Sequence, residues 1–277
     1  MIVLLPPSET KSAGGDGPPL ALEALSWPAL RGVRERLVAA LVQLAADPAA
    51  SRVALGLGPR ADAEVAANAA LRSAPTTPVL DRYRGVLYDA LAPATLSPAA
   101  RARAERDVVV TSALFGAVRG GDRVPAYRLS AGSRLPGIGP LAGLWRPLLA
   151  GVLADLTAEQ DRPVLDLRSG AYVALWGRPP VGARPLPVRV LAEAADGTRS
   201  VVSHANKAAK GRLARALLEQ EAPAGAGVEL VVDAARRAGL VAEVSAGGID
   251  LVEPRRPAQR SASAGSRSRT TTAASDA

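Results

Sequence analysis

Apolar runs of strand length alternate along this chain with apolar stripes of helical spacing, which predicts a mixed α/β fold with one sheet flanked by helices. Residues 2–5 form a continuous apolar run closed by Pro6 and Pro7, the pattern of a buried strand that enters a loop. Residues 108–110, 164–167, 188–191, 200–202, 240–244 and 249–252 read as further strands. Leu30, Val33, Leu37, Leu41 and Leu44 recur at helical spacing and mark a helix over 27–45. Helices are also expected over 62–72, 140–156, 205–221 and 227–237. No internal repeat and no linker divides residues 1–254, so they are expected to form a single compact domain. Residues 255–277 carry almost no large apolar side chain and are expected to be a disordered Arg/Ser/Thr-rich tail.

Composition narrows the chemistry. The chain has 277 residues, no cysteine, one histidine and one methionine, Met1. Thiol nucleophiles, thiol redox sensing and Cys/His zinc sites are thereby excluded, and His204 cannot build a metal site alone. No metal, cofactor or catalytic residue is assigned. The net charge of +8 invites a nucleic-acid reading, but the five arginines and one aspartate of residues 255–277 supply +4 of it. The opening residues lack the basic flank and long apolar stretch of a signal peptide, and no apolar run is long enough to be read as a membrane span. A cytoplasmic protein is expected, with no membrane partner and monomeric.

Among the 34 Lys and Arg residues only Lys11, Lys207 and Lys210 are lysines, in two short polar segments. Arginine's planar fork and lysine's compact, desolvatable ammonium do different work, so the clustering points to positions that need an ammonium. Lys11 lies in LLPPSETKSAGGDG, a loop at the C-terminal end of the first strand, where open α/β sheets gather ligands. In SHANKAAKGRLARALLEQE, helical geometry puts Lys207 and Lys210 on the side of Leu213, Ala214, Leu217 and Leu218, so both are expected to point inward. Ammonium groups in a first helical turn oppose the helix dipole, and suit a negative ligand there. Read as extended, DRYRGVLYDAL sets Arg82 and Arg84 on one face and Tyr83 on the other, with Tyr88 in the next element. AYRLSAGSRL adds Tyr127, Arg128 and Arg134 as forks and aromatic edges for phosphates and bases. Residues 135–145 include Gly137 and Gly139, which make a tight turn before a long helix; the alternatives are a simple turn and the hairpin of a helix-hairpin-helix motif.

As a set, LLPPSETKS, RYRGVLYDAL, SALFGAVRGGDRVPAYRL, VLDLRSGAY and SHANKAAKGRLAR resemble the peroxide-stress protein family YaaA, also called UPF0246 or DUF328. The resemblance spans nearly the whole chain except the basic tail. It implies a cytosolic mixed α/β protein, resistance to hydrogen peroxide, and DNA binding through a basic cleft and a helix-hairpin-helix element. Carried onto this sequence, it matches Lys11, Arg84, Gly85, Tyr88, Tyr127, Arg128, Lys207, Lys210 and Gly211. The expected partner is double-stranded DNA, held at its phosphates without sequence preference and without thiol chemistry. The alternative is an enzyme acting on a nucleotide-like or phosphorylated small molecule in the same pocket, with Glu9 or Asp166 as acid or base and Ser8 positioning the ligand.

Overall fold

The computed structural model describes residues 1–158, 163–177, 185–193, 198–201, 203–221, 227–245 and 247–253. The expected disordered tail lies outside the described residues, as does the side chain of His204.

In chain order the strands are β1 (Ile2–Leu5), β2 (Thr77–Pro78), β3 (Val108–Ser112), β4 (Gly116–Arg119), β5 (Arg123–Val124), β6 (Val164–Asp166), β7 (Leu186–Glu193), β8 (Arg199–Val201), β9 (Val241–Ser245) and β10 (Gly248–Glu253). The α-helices are α1 (Arg31–Ala45), α2 (Pro48–Leu55), α3 (Asp62–Ala69), α4 (Val79–Arg82), α5 (Val86–Leu91), α6 (Pro98–Asp107), α7 (Leu141–Ala158), α8 (Gly170–Trp176), α9 (Ser203–Glu219) and α10 (Val228–Arg237). The main sheet runs β4-β3-β1-β6-β7-β10-β9, with β8 added to β7, while β2 and β5 form a separate pair. Strands β3, β1, β6, β7 and β10 are mutually parallel; β4, β8 and β9 are antiparallel to their neighbours.

Each strand expected from the apolar runs is present, and so are the five expected helices, within a few residues at their ends. Helices α2, α5 and α6 and strand β4 were not anticipated. The reason for α6 is visible in its buried residues, Ala100, Ala104 and Asp107, which are too small or too polar to print an apolar stripe.

All four residues of β1 are buried, and β1 pairs β3 on one edge and β6 on the other. The chain leaves β1 toward β3 on one side and leaves β6 toward β7 on the other. Loops that part in this way open a crevice at the C-terminal ends of the two strands, the switch point at which open α/β sheets bind ligands. Pro6 and Pro7 end β1 at that crevice. Helix α7 meets the length and hydropathy of a membrane span, contrary to the expectation from the sequence. It nevertheless sets Leu141, Trp145, Leu149, Val152, Leu153 and Leu156 inward along one stripe, and Trp145 Nε1 donates to Ala113 O at 2.9 Å.

Helix α9 reaches the crevice by lying close on α5. A Cβ added at Gly211 would stand 2.2 Å from the Leu87 carbonyl oxygen, so only glycine permits the approach. The substitution Gly211→Ala is expected to cost about 1–3 kcal/mol through forced separation of the helices. Chemical denaturation measures it, and an unchanged midpoint would refute the packing argument.

Candidate functional site

The loop after β1 runs antiparallel beside residues 82–84. Ser12 N donates to Arg82 O at 2.8 Å, Arg84 N donates to Thr10 O at 3.0 Å, and Lys11 bridges Tyr83. Arg82, expected to face a phosphate, is instead wholly buried. Its guanidinium donates to the carbonyls of Val124, Ser12 and Gly14, so it braces the loop from beneath. The expected extended segment is also corrected: residues 79–82 and 86–91 are helical, which turns Tyr83 and Tyr88 to the same interior, 5.3 Å apart by ring centroid.

A chain of hydroxyls lies under the loop. Ser112 Oγ, at the end of β3, accepts from Leu114 N at 3.2 Å and Phe115 N at 3.0 Å. With its lone pairs so occupied, Ser112 donates to Tyr127 Oη at 2.7 Å, and Tyr127 donates to Tyr83 Oη at 2.7 Å. Burial pushes both phenols well above the ordinary tyrosine range, so both stay protonated. Tyr88 Oη donates to Pro6 O at 2.8 Å and ties α5 to the end of β1.

Lys11 stands over this aromatic floor. Its Nζ is 4.1 Å from the Tyr127 ring centroid and 5.3 Å from that of Tyr83, and it donates to Ser8 O at 3.0 Å and Glu9 O at 3.3 Å. Burial, then the charge of Arg128, lowers its pKa from 10.5 to about 7, against the opposing pull of Glu9. A cation–π contact at a desolvated site is worth about 2 kcal/mol or more, so the two rings hold the amine in place and oppose the loss of charge that burial imposes.

The other wall comes from β6 and α8. Arg168 grips Asp166 by two bonds, Nε to Oδ1 at 2.9 Å and Nη2 to Oδ2 at 2.7 Å, and lies 4.5 Å from the Trp176 ring centroid. Asp166 is therefore committed to Arg168 and is withdrawn as a candidate acid or base. Lys210 reaches in from α9 and donates to Arg168 O at 3.3 Å; burial lowers its pKa, partly offset by Asp166. Lys207 departs from the expected inward pair and is exposed. It sits in the second turn of α9, about 70° from the centre of the buried stripe, whereas Lys210 falls on that stripe.

Arg128 pairs with Glu9 at 2.7 Å, and Arg84 and Arg134 are exposed. Arg128 and Arg134 line an open groove of about 1020 Å³ with Glu9, Val53 and Ser133. Gly137, at φ +68°, turns the chain before α7, and Ile138 N closes the turn onto Leu135 O at 3.1 Å. Gly139 follows in the same exposed turn. No helix precedes it between residues 125 and 135, so the segment is a simple turn, and the helix-hairpin-helix reading of residues 135–145 is withdrawn.

The profile of the family described as peroxide stress protein YaaA matches residues 1–231. The chain belongs to this family. It is 47% identical over 247 residues to a UPF0246 protein of Corynebacterium efficiens, covering 89% of this chain and 96% of the relative. A UPF0246 protein of Streptomyces coelicolor is 50% identical over 220 residues, covering 79% and 83%. A third relative, from Corynebacterium glutamicum, is 41% identical over 247 residues, covering 88% and 95%. In this member, the family segments quoted above contain all four tyrosines of the chain. Tyr83 and Tyr127 lie beneath Lys11, Tyr88 packs against Tyr83, and Tyr172 on α8 feels the charges of the same Glu9 and Arg128, with burial pushing its phenol up to about 12. The sequence offered one signal for Tyr172 and Ser112 that went unused, namely that both lie inside those segments.

The buried amine sets a sign for stability. Lys11 holds its proton up to about pH 10.5 unfolded but only to about pH 7 folded, so stability rises with pH between these values. Lys11→Met is thus expected to be more stable than the native chain below pH 7, with the gap closing toward pH 10. Urea midpoints across that range test it, and a gap independent of pH would contradict a desolvated amine.

Proposed function

We propose that this peroxide-stress protein acts without redox chemistry of its own, by holding double-stranded DNA at its phosphates on cations around the β1/β6 crevice. The observation that carries the reading is the division of labour among the cations. Arg82 and Lys210 are buried and bonded to carbonyls, whereas Arg84, Arg134 and Lys207 are exposed, with Arg128 half-buried at the groove that Arg134 also lines. Exposed cations suit a ligand that brings its own hydration and counterions. The chain has no cysteine and no methionine besides Met1, which fits protection by binding rather than by sulfur oxidation.

A second reading is favoured by a different observation. Lys11 and Lys210 are desolvated at the switch point itself, an environment made for a small anionic molecule and poorly reached by a duplex. Glu9 remains a candidate acid or base in that reading, since its carboxylate is 62% exposed beside Arg128.

Binding to a short duplex should weaken steeply between 50 and 200 mM salt, and Arg84→Ala and Lys207→Ala should each lower the slope of log K against log salt by about one. Fluorescence anisotropy measures this, with a chain ending at residue 253 in parallel. A flat salt dependence, or binding lost entirely with residues 254–277, would remove the body of the protein from the interaction.

A further inference from the structure

The Lys11 amine is arranged for more than charge. As a neutral amine it has two N–H donors and one lone pair. The two donors meet the carbonyls of Ser8 and Glu9, which leaves the lone pair without a described donor aimed at it. Neighbouring side chains compete little for the nitrogen. Glu9 gives its carboxylate to Arg128 at 2.7 Å, and the tyrosine hydroxyls below bond to one another, to Ser112 and to Pro6 O. The amine therefore sits over the rings of Tyr127 and Tyr83, in a half-buried position at the mouth of the crevice, within the field of the Arg128 guanidinium, which attracts anions.

We propose that Lys11 is a nucleophilic amine that captures an aldehyde or ketone bearing a phosphate or carboxylate group, forming an imine. The Nζ lone pair attacks the carbonyl carbon as the carbonyl π pair moves to oxygen. Oxygen gains a proton while nitrogen loses one, giving a carbinolamine. Protonation of that hydroxyl then expels water and leaves the C=N bond. Amine plus carbonyl gives imine plus water, with no change of oxidation state and no co-reactant. Water at the half-buried mouth supplies the proton for the departing hydroxyl, and Arg128, whose charge acts on Lys11, receives the anionic group on exchanging away from Glu9. At neutral pH a substantial share of Lys11 is already free amine, the form that an ordinary lysine scarcely populates. This inference rests on the small-molecule reading of the crevice and is independent of DNA binding on the exposed rim.

The scarcity of lysine makes the test nearly site-specific, because Lys11, Lys207, Lys210 and the α-amino group of Met1 are the chain's amines. The full chain is incubated at pH 7 with glyoxylate, or with acetaldehyde as the neutral counterpart, in the presence of cyanoborohydride, and the reduced adducts are mapped by mass spectrometry. Lys11 should be labelled by glyoxylate at least 10-fold faster than Lys207, with its rate rising through pH 7, and the preference for glyoxylate over acetaldehyde should fall in Arg128→Gln. Equal or slower labelling of Lys11 than of exposed Lys207 in the native chain overturns the proposal without recourse to a variant. Calorimetric titration with glyoxylate and inorganic phosphate separates the two levels of inference. Non-covalent binding lost in Lys210→Met, without labelling of Lys11, sinks the nucleophile and keeps the crevice; absence of both binding and labelling sinks both.

Discussion

Strand β1 is buried on both faces and hydrogen-bonded on both edges, so the polypeptide that follows it has a single way out, over the C-terminal end of the sheet. The site is organised around that confinement. Pro6 and Pro7 stop the ladder, the loop folds back along residues 82–84, and Arg82 fixes it by donating to carbonyls on both sides. On the adjacent strand, Leu167 N donates to Leu4 O at 2.9 Å, which holds the end of β6 level with the end of β1 just before the two loops diverge. Lys11 and Arg168 stand on the two loops that part here.

The cations of the site fall into two physical classes. Arg82 and Arg168 are structural: each is buried and directed at carbonyls or a carboxylate, and a guanidinium keeps its charge under burial because it is so strong a base. Lys11 is half-buried and Lys210 buried, each with a weaker base, and desolvation moves both toward the neutral form. A chain that uses lysine three times among 34 basic residues places two of them where deprotonation is accessible. Had these positions been arginine, the crevice would carry fixed charge and no nucleophile.

The tyrosines give the site its rigidity. The Ser112–Tyr127–Tyr83 chain links the end of β3 to the loop beside Lys11, and Tyr88 links α5 to the end of β1. The Phe115 ring meets Tyr127 edge-on at 5.3 Å and closes the floor from the side of β4. Buried hydroxyls of this kind are expensive unless bonded, and their mutual bonding makes the arrangement specific rather than merely tolerated.

The element pattern was legible from residue order because strands and helices print their burial at periods of two and 3.6, and the proline pair after β1 marked the loop that matters. The lysine count singled out Lys11, Lys207 and Lys210. What residue order left open was direction and partner. Lys207 and Lys210 share a helix and differ by three positions, yet one is exposed and the other buried, because only the second lies on the stripe that faces the protein interior. Arg82 and Arg84 looked equivalent, yet the turn from α4 into an extended residue sends one beneath the loop and leaves the other outside. Local periodicity is a property of a few neighbouring residues, so sequence alone determined the main strands and the long helices, while short or small-residue elements such as α6 were left to the tertiary structure. Desolvation depends on atoms from β1, β3, α5 and α8 brought together at one strand end, and only the tertiary structure could decide which cations would keep their charge.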